Sequence, residues 1–227
     1  MGYKVKSVAD YDAWYRTARG RWIAEQEFSV LLKLFSLTEG QTLLDVGCGT
    51  GHFSECFQQQ GLHVTGLDPD FAMIEFARAK KSQVHYVEGD ARALPFVDNS
   101  FDYCCAITSL CFIDEAEKAL KEMLRVSRHG VILGLLNRYS ILHYQKKQSK
   151  SYQGARWDSV SLVNQWCRTI NPGLKVDIKS AVLIPSAGIL AQLIEKFLPD
   201  TFPFASFIAV GVQNKKTDSI CTQHYLY

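Results

Sequence analysis

Apolar positions along this chain follow two rhythms that alternate. Short continuous runs at Leu43–Leu44 with Val46, His63–Leu67, Val84–Glu88, Phe101–Thr108 and Val131–Leu136 have the length and branched character of buried parallel strands. Between them the spacing widens to three and four residues. Phe53, Cys56 and Phe57 run up to Gly61, another set fills Phe71–Lys80, and Ala116, Leu120, Met123 and Leu124 make a third. Each predicts a helix laid over a strand face. Upstream, Asp10–Arg16 predicts a short amphipathic helix. Ala24, Phe28, Leu31, Leu32 and Phe35 predict a longer one, before Gly40. Downstream, Ser159–Arg168 and Ala187–Leu198 predict helices. Val176, Ile178, Val182 and Leu183 predict a sixth strand, and Phe204–Val212 a last one, antiparallel. Strands alternating with helices predict an α/β fold: a doubly wound, mostly parallel sheet with helices on both faces.

The connections carry the chemistry. The stretch Thr42–Gly51, T-L-L-D-V-G-C-G-T-G, takes a buried strand into a tight turn at Gly47, Gly49 and Gly51 and then a helix. Glycine is needed where backbone must approach a ligand with no Cβ in the way, and the amides that open a helix can face that ligand. Asp45, at the last turn of a hydrophobic strand, is costly to bury without a partner, and a ligand ammonium would be one. A dinucleotide site would need G-x-G-x-x-G, but His52 stands at its third glycine position. Asp68 ends the second strand, where such folds place the group that accepts from ribose hydroxyls; Asp70 is the better cap for the following helix, leaving Asp68 free. Met73 can lie on a purine face or simply fill core. Past the third strand, Asp90 can accept from the adenine amine while Ala91 offers its backbone amide.

The spacing D-x-G-x-G-x-G resembles motif I of the class I S-adenosylmethionine (SAM)-dependent methyltransferases. The run G-D-A-x-x-L-P-F-x-D-x-S-F-D from Gly89 to Asp102 is similar to the methyltransferase-11 and ubiquinone/menaquinone methyltransferase-like group. The resemblance covers roughly Leu37–Asn137. It implies a seven-stranded Rossmann-like sheet with the last strand reversed, SAM as cofactor with S-adenosylhomocysteine (SAH) as product, and methyl transfer to an acceptor. A non-catalytic SAM/SAH-binding module, as a sensor or partner subunit, is the alternative. In such a site Asp45 contacts the methionyl end, with Gly47, Cys48, Gly49, Gly51, Asp68, Pro69, Met73, Asp90, Ala91 and Ala106 around the cofactor. Ala106, Ile107 and Thr108 leave the fourth strand towards the mouth of methyl transfer. Relatives often carry His at the position of Phe112, so no general base is carried over. They also have a Pro-Gly-Gly turn where this chain has Ser127-Arg128-His129-Gly130.

The flanks are where an acceptor would bind. Residues 1–22 hold Tyr11, Trp14, Tyr15 and Trp22 with Arg16, Arg19 and Arg21, which suits either a helix packing its rings on the domain or an aromatic lid over a sulfonium. Residues 23–213 make the main domain. Within it, 139–158 is an expected substrate-side insertion, with Arg138, Tyr139, His143, Tyr144 and Trp157 as candidates by position. Its Lys146, Lys147, Lys150 and Arg156 also fit a solvated charge run. Asp114 and Glu117 have the spacing of a capping box, which makes Asp114 a cap rather than a base. A polar tail, 214–227, should be loosely held.

Composition narrows this little. A chain of 227 residues, 47% hydrophobic and 21% charged, fits one globular domain, and a net charge of +2 gives no nucleic-acid signal. That balance and the aromatic flank favour a small-molecule acceptor. Seven cysteines without C-x-x-C spacing, and six scattered histidines, outline no metal site. Unpaired thiols, with neither an apolar leader nor a membrane-length run, fit a cytoplasmic protein. Oligomeric state is left open.

Overall fold

The computed structural model describes residues 7–146, 152, 154–186 and 188–214. Lys147, Lys150 and the tail beyond Asn214 lie outside the described residues.

Two helices precede the sheet. Helix α1 (Val8–Arg16) opens with the Ser7 hydroxyl accepting from the Asp10 amide. Thr17 ends α1 by donating to the Trp14 carbonyl, and its hydroxyl then caps α2 (Ala18–Leu32) by accepting from the Gly20 amide. Gly20 has to be glycine, because a Cβ there would stand 2.0 Å from the Trp14 carbonyl oxygen. Then follow β1 (Thr42–Val46), α3 (His52–Gln59), β2 (His63–Asp68), α4 (Phe71–Ala79), β3 (His85–Glu88) and β4 (Phe101–Ile107). A single 3-10 turn at Leu110–Phe112 leads to α5 (Ala116–Val126), β5 (Ser127–Leu136), α6 (Ile141–Lys146), α7 (Val160–Ile170), β6 (Lys175–Ala181), α8 (Ile189–Phe197) and β7 (Phe207–Gln213).

The strands lie in the order β3-β2-β1-β4-β5-β7-β6. Strands β1 to β5 run parallel, and β7 runs antiparallel to both β5 and β6, which is the expected seven-stranded sheet with its last strand reversed. Alternation along the strands feeds two apolar layers. Leu44, Val46, Cys104 and Ala106 face α5 and α7, while Leu43, Cys105 and Ile107 face α2, α3 and α4. The topology places the carboxyl ends of β3, β2, β1 and β4 side by side, where open parallel sheets bind ligands.

Four expectations need correction. Ser127–Gly130 is no turn but the start of β5. Arg128 bonds the Asp102 carboxylate at 2.9 Å, the His129 carbonyl accepts from the Asn214 amide, and a register shift against β4 absorbs the change. Asp114 caps nothing, because α5 begins two residues later, with Glu115 at the cap position and no side-chain cap bond. Strand β6 stops at Ala181; Val182 turns to φ +66, and the Glu195 carboxylate accepts from the Val182 and Leu183 amides. Asn214 is not loosely held, since its side-chain amide donates to the Leu124 and Ser127 carbonyls.

Candidate functional site

The loop between β1 and α3 is shaped by where side chains cannot go. Gly47, Gly49 and Gly51 all have positive φ. A Cβ on Gly47 would lie 2.4 Å from the Ser109 Cβ, and one on Gly51 would lie 2.1 Å from the Tyr86 hydroxyl oxygen. The loop amides are engaged internally, contrary to a cradle of free donors. Gly47 and Cys48 both donate to the Leu67 carbonyl, Gly49 donates to the Asp68 carboxylate at 2.8 Å, and Gly51 donates to the Cys48 carbonyl. The glycines therefore serve close approach and tight turning.

Asp45 sits where β1 enters this loop, 2% exposed. Ser54 of α3 donates to it at 2.6 Å, and the Cys105 thiol of β4 at 3.4 Å. No cationic side chain pairs with it among the described residues. Burial raises its pKa to about 6, against the pull of those two hydrogen bonds. A buried carboxylate with neutral donors and no protein cation suits the ammonium of a methionyl group, so the residues present fit SAM at this end.

Asp68 ends β2 but is not free. Its two oxygens accept from the Gly49 and Asp70 amides, tying the glycine loop to the second strand tip, and burial raises its pKa. Each oxygen keeps a lone pair for a ribose hydroxyl. Asp70 caps α4 as expected, accepting from the Ala72 amide at 2.8 Å. Asp90 stands beyond β3, on the surface, held by the Arg92 guanidinium at 2.7 Å; that partner pulls its pKa down to about 2. Its acceptor capacity is thus shared with Arg92. Pro69 is exposed and Met73 partly buried on the first turn of α4. The side chains of Ala91 and Ala106 belong to the apolar layer under α5, so only their backbone can act in the crevice, whereas Ile107 lines it.

Helix α1 lies across the glycine loop. Tyr11 and Tyr15 line a cavity with Asp45, Gly47, Cys48, Thr50, His52, Phe53 and Ile107. The Tyr15 ring stacks on His52 at 3.8 Å, and the two tyrosine hydroxyls are 3.3 Å apart. His52, the residue that breaks the dinucleotide pattern, is thus a platform for α1; burial and Lys80 lower its pKa to about 4, so it stays neutral. Trp14 packs into the apolar layer beside α2. The buried Asp12 carboxylate holds α1 to α4 through Lys80 at 2.7 Å and also pairs with Arg16 at 2.7 Å. With the tyrosines in place the cavity measures only about 20 Å³, against several hundred, roughly 300–1,000 Å³, for a typical ligand site.

The connection after β5 divides into scaffold and surface. Asn137 is buried and donates to the Pro203 and Ala205 carbonyls. Asp158, fully buried, pairs with Arg156, which also donates to the Leu110 and Ile113 carbonyls. Arg156 is therefore structural and not part of a solvated run. Arg138 and Tyr139 are exposed, with the guanidinium 5.8 Å from the ring centre, and the structure does not bring them to the glycine loop. His143 bonds the Arg138 carbonyl at 2.6 Å and packs on Trp157, which packs on Tyr152. The Trp157 indole N–H is buried without a hydrogen-bond partner among the described residues.

Sequence reasoning missed Ser54, Ser109, Tyr86, Tyr152 and Glu27. Only Glu27 had a readable signal: it falls on the helical stripe Gly20, Ile23, Ala24, Val30, Leu31, every other member of which is buried. No helix among the described residues is long and apolar enough to cross a membrane, and no group of three or more His, Cys, Asp or Glu among them could hold a metal.

Comparison with known proteins agrees with this geometry. Residues 44–135 match the family model described as Methyltransferase domain. Over 103 residues the chain is 38% identical to a malonyl-[acyl-carrier protein] O-methyltransferase of Pectobacterium atrosepticum, covering 45% of this chain and 41% of that one. Over 91 residues it is 43% identical to a demethylmenaquinone methyltransferase of Renibacterium salmoninarum, covering 40% and 38%. The chain thus spans about two fifths of the length of these curated relatives. A Thermotoga maritima structure described as a SAM-dependent methyltransferase, possible histamine N-methyltransferase, superposes with a TM-score of 0.73 at 26% identity, over 92% of this chain and 96% of the other. Residues 44–135 are thus similar to a methyltransferase domain, and the strand order is the one shared with a solved structure described as a SAM-dependent methyltransferase.

Proposed function

We propose that the chain transfers a methyl group from SAM to a small-molecule acceptor held between the glycine loop and the α1–α2 side of the crevice. The observation that carries this reading is Asp45: a buried carboxylate at the tip of β1, bonded among the described residues by Ser54 and Cys105 alone, in a loop that cannot tolerate side chains at Gly47 and Gly51.

When bound, SAM supplies an activated methyl group on a sulfonium. This chain's residues position and enclose it. Asp45 would hold the ammonium, and Asp68 the ribose hydroxyls while it fixes the glycine loop. Asp90, alongside its Arg92 pair, and the Ala91 amide would take the adenine edge. Tyr11 and Tyr15 would close the acceptor side, since aromatic rings exclude water and attract a sulfonium. The small cavity beneath them supports a lid role for α1, which must swing out for ligands to enter, with the Asp12–Lys80 ion pair as its latch.

The acceptor is a separate question. The curated relatives are named for different acceptors, and the matched stretch is the cofactor side of the crevice. Incubating the protein with SAM and fractionated cell metabolites should give one compound heavier by a methylene group, with matching SAH release. Tight SAM binding without any such product would overturn the enzymatic reading and leave a binding module.

A further inference from the structure

We propose that Glu27, the one carboxylate on the inward face of α2, anchors a basic amine on the methyl acceptor. This rests on the methyltransferase reading above and names its substrate class. Glu27 occupies the centre of the inward face of α2, among Gly20, Ile23, Ala24, Val30 and Leu31, where every other position is apolar or glycine and buried. Nothing in the packing of α2 calls for a carboxylate there. The residue is half-buried, and its side chain has no hydrogen bond or ion pair among the described residues, although a carboxylate drawn out of water ordinarily has one.

The surroundings are those of a ligand subsite. The hydroxyl groups of Tyr11 and Tyr15 on α1, and of Tyr152 on the far side, all lie within electrostatic reach of Glu27. Tyr11 is also within reach of Asp68 and the Cys111 thiol, and Tyr15 of Asp45, which puts Glu27 on the acceptor flank of the cofactor crevice. Arg19 acts on Tyr152 and, among the described residues, forms no ion pair with Glu27. An unpaired carboxylate with three tyrosines in electrostatic reach matches an alkylammonium, which rings attract by their faces and a carboxylate by charge. Burial raises the Glu27 pKa to about 8, close enough to that of an amine for the carboxylate to take the proton that must leave before the nitrogen lone pair is free.

The test compares matched pairs, ethylamine with ethanol, benzylamine with benzyl alcohol and 2-phenylethylamine with 2-phenylethanol, by calorimetry at pH 7 with and without SAH. At least one amine should bind the wild-type protein tenfold or more tightly than its alcohol. Glu27→Gln should abolish that preference while SAH affinity stays as in the wild type and the melting temperature is no lower than that of the wild type. In the wild type, saturating amine should also move the Glu27 carboxyl carbon resonance, assigned by its loss in Glu27→Gln, to the ionised position. No amine preferred over its alcohol, or a preference kept by Glu27→Gln, overturns the proposal. Failure of SAH to bind would overturn the methyltransferase reading instead, and the amine titration without SAH would still judge Glu27.

Discussion

The two flanks of the crevice are built by opposite means. On the β1–β2 side, backbone and short side chains satisfy one another: the loop amides bond the Leu67 and Cys48 carbonyls and Asp68, and Ser109 donates to the Val46 carbonyl at 2.7 Å. On the acceptor side, formed by α1, α2 and the connection after β5, large rings pack together, and among the described residues Glu27 and the Trp157 indole N–H have no hydrogen-bond partner. A flank that serves one fixed cofactor can be finished in advance by the chain itself. A flank that takes an acceptor is completed by the acceptor.

Substitutions can break or sharpen this contrast. The largest effect is expected where the finished flank has no slack. Gly51→Ala combines a φ of +82 with a Cβ 2.1 Å from the Tyr86 hydroxyl oxygen, and should cost roughly 3–4 kcal/mol of unfolding free energy in urea. Gly49→Ala meets only Tyr11 at 3.8 Å, so it should cost roughly 1–2 kcal/mol, from backbone strain alone. Equal losses would show that the loop is not held as described.

Asp45→Asn should separate stability from binding. The folded pKa of about 6 lies above the ordinary carboxylate value of 3.8, so the folded state holds the proton more tightly. Stability from this group is then greatest below pH 4 and falls as pH rises through 6. At pH 7.5 the Asn variant should be more stable by about 2 kcal/mol and bind SAM more weakly by about 2 kcal/mol. The wild-type decline between pH 4 and 6 should become shallower in denaturant titrations of the variant, with the slope from Glu27 left in place above about pH 4.5. Between pH 6 and 8 any remaining decline should depend on Glu27, whose pKa of about 8 sets the same sign of slope at higher pH.

Asp68→Ala should weaken SAM binding by about 1–3 kcal/mol, through the unpaired ribose and the freed Gly49 and Asp70 amides. Unchanged affinity in a folded variant would remove the ribose role. The smallest effect belongs to the latch. Asp12→Asn weakens the pairs to Lys80 and Arg16 without touching the crevice, and should cost about 1 kcal/mol while SAH dissociation speeds several-fold in stopped flow. A rate like that of the wild type would leave α1 a packing helix only.

The same contrast explains what could be read from the sequence. Strand-tip acids and a glycine turn have fixed spacing because a sheet fixes them, so the strand-end positions of Asp45 and Asp68, Asp90 just past β3, and a parallel sheet with its last strand reversed were legible. Local periodicity also found α1, although the Ser7 and Thr17 caps move its start and that of α2. What pairs with what was not legible. That Asp68 holds Gly49, that Arg92 occupies Asp90, and that Ala106 turns from the crevice while Ile107 enters it all depend on tertiary neighbours. The polar run to Asp158 looked uniform, yet Arg156 and Asp158 are buried scaffold while Arg138 and Tyr139 face solvent. A single carboxylate on an apolar stripe was visible, but a helical pattern that is otherwise satisfied does not point to it.

The excursion after β5 leaves and rejoins the sheet at one place: the Asp158 amide donates to the Leu136 carbonyl, the Arg138 amide donates to the Asp158 carbonyl, and Asn137 and Asp158 form a parallel bridge. Its two ends are clasped together, so residues can be inserted or deleted between them without moving β5 or α7. A span with its ends so joined would suit an exchangeable cassette, by which descendants of one scaffold could change clients while keeping the engine that drives them.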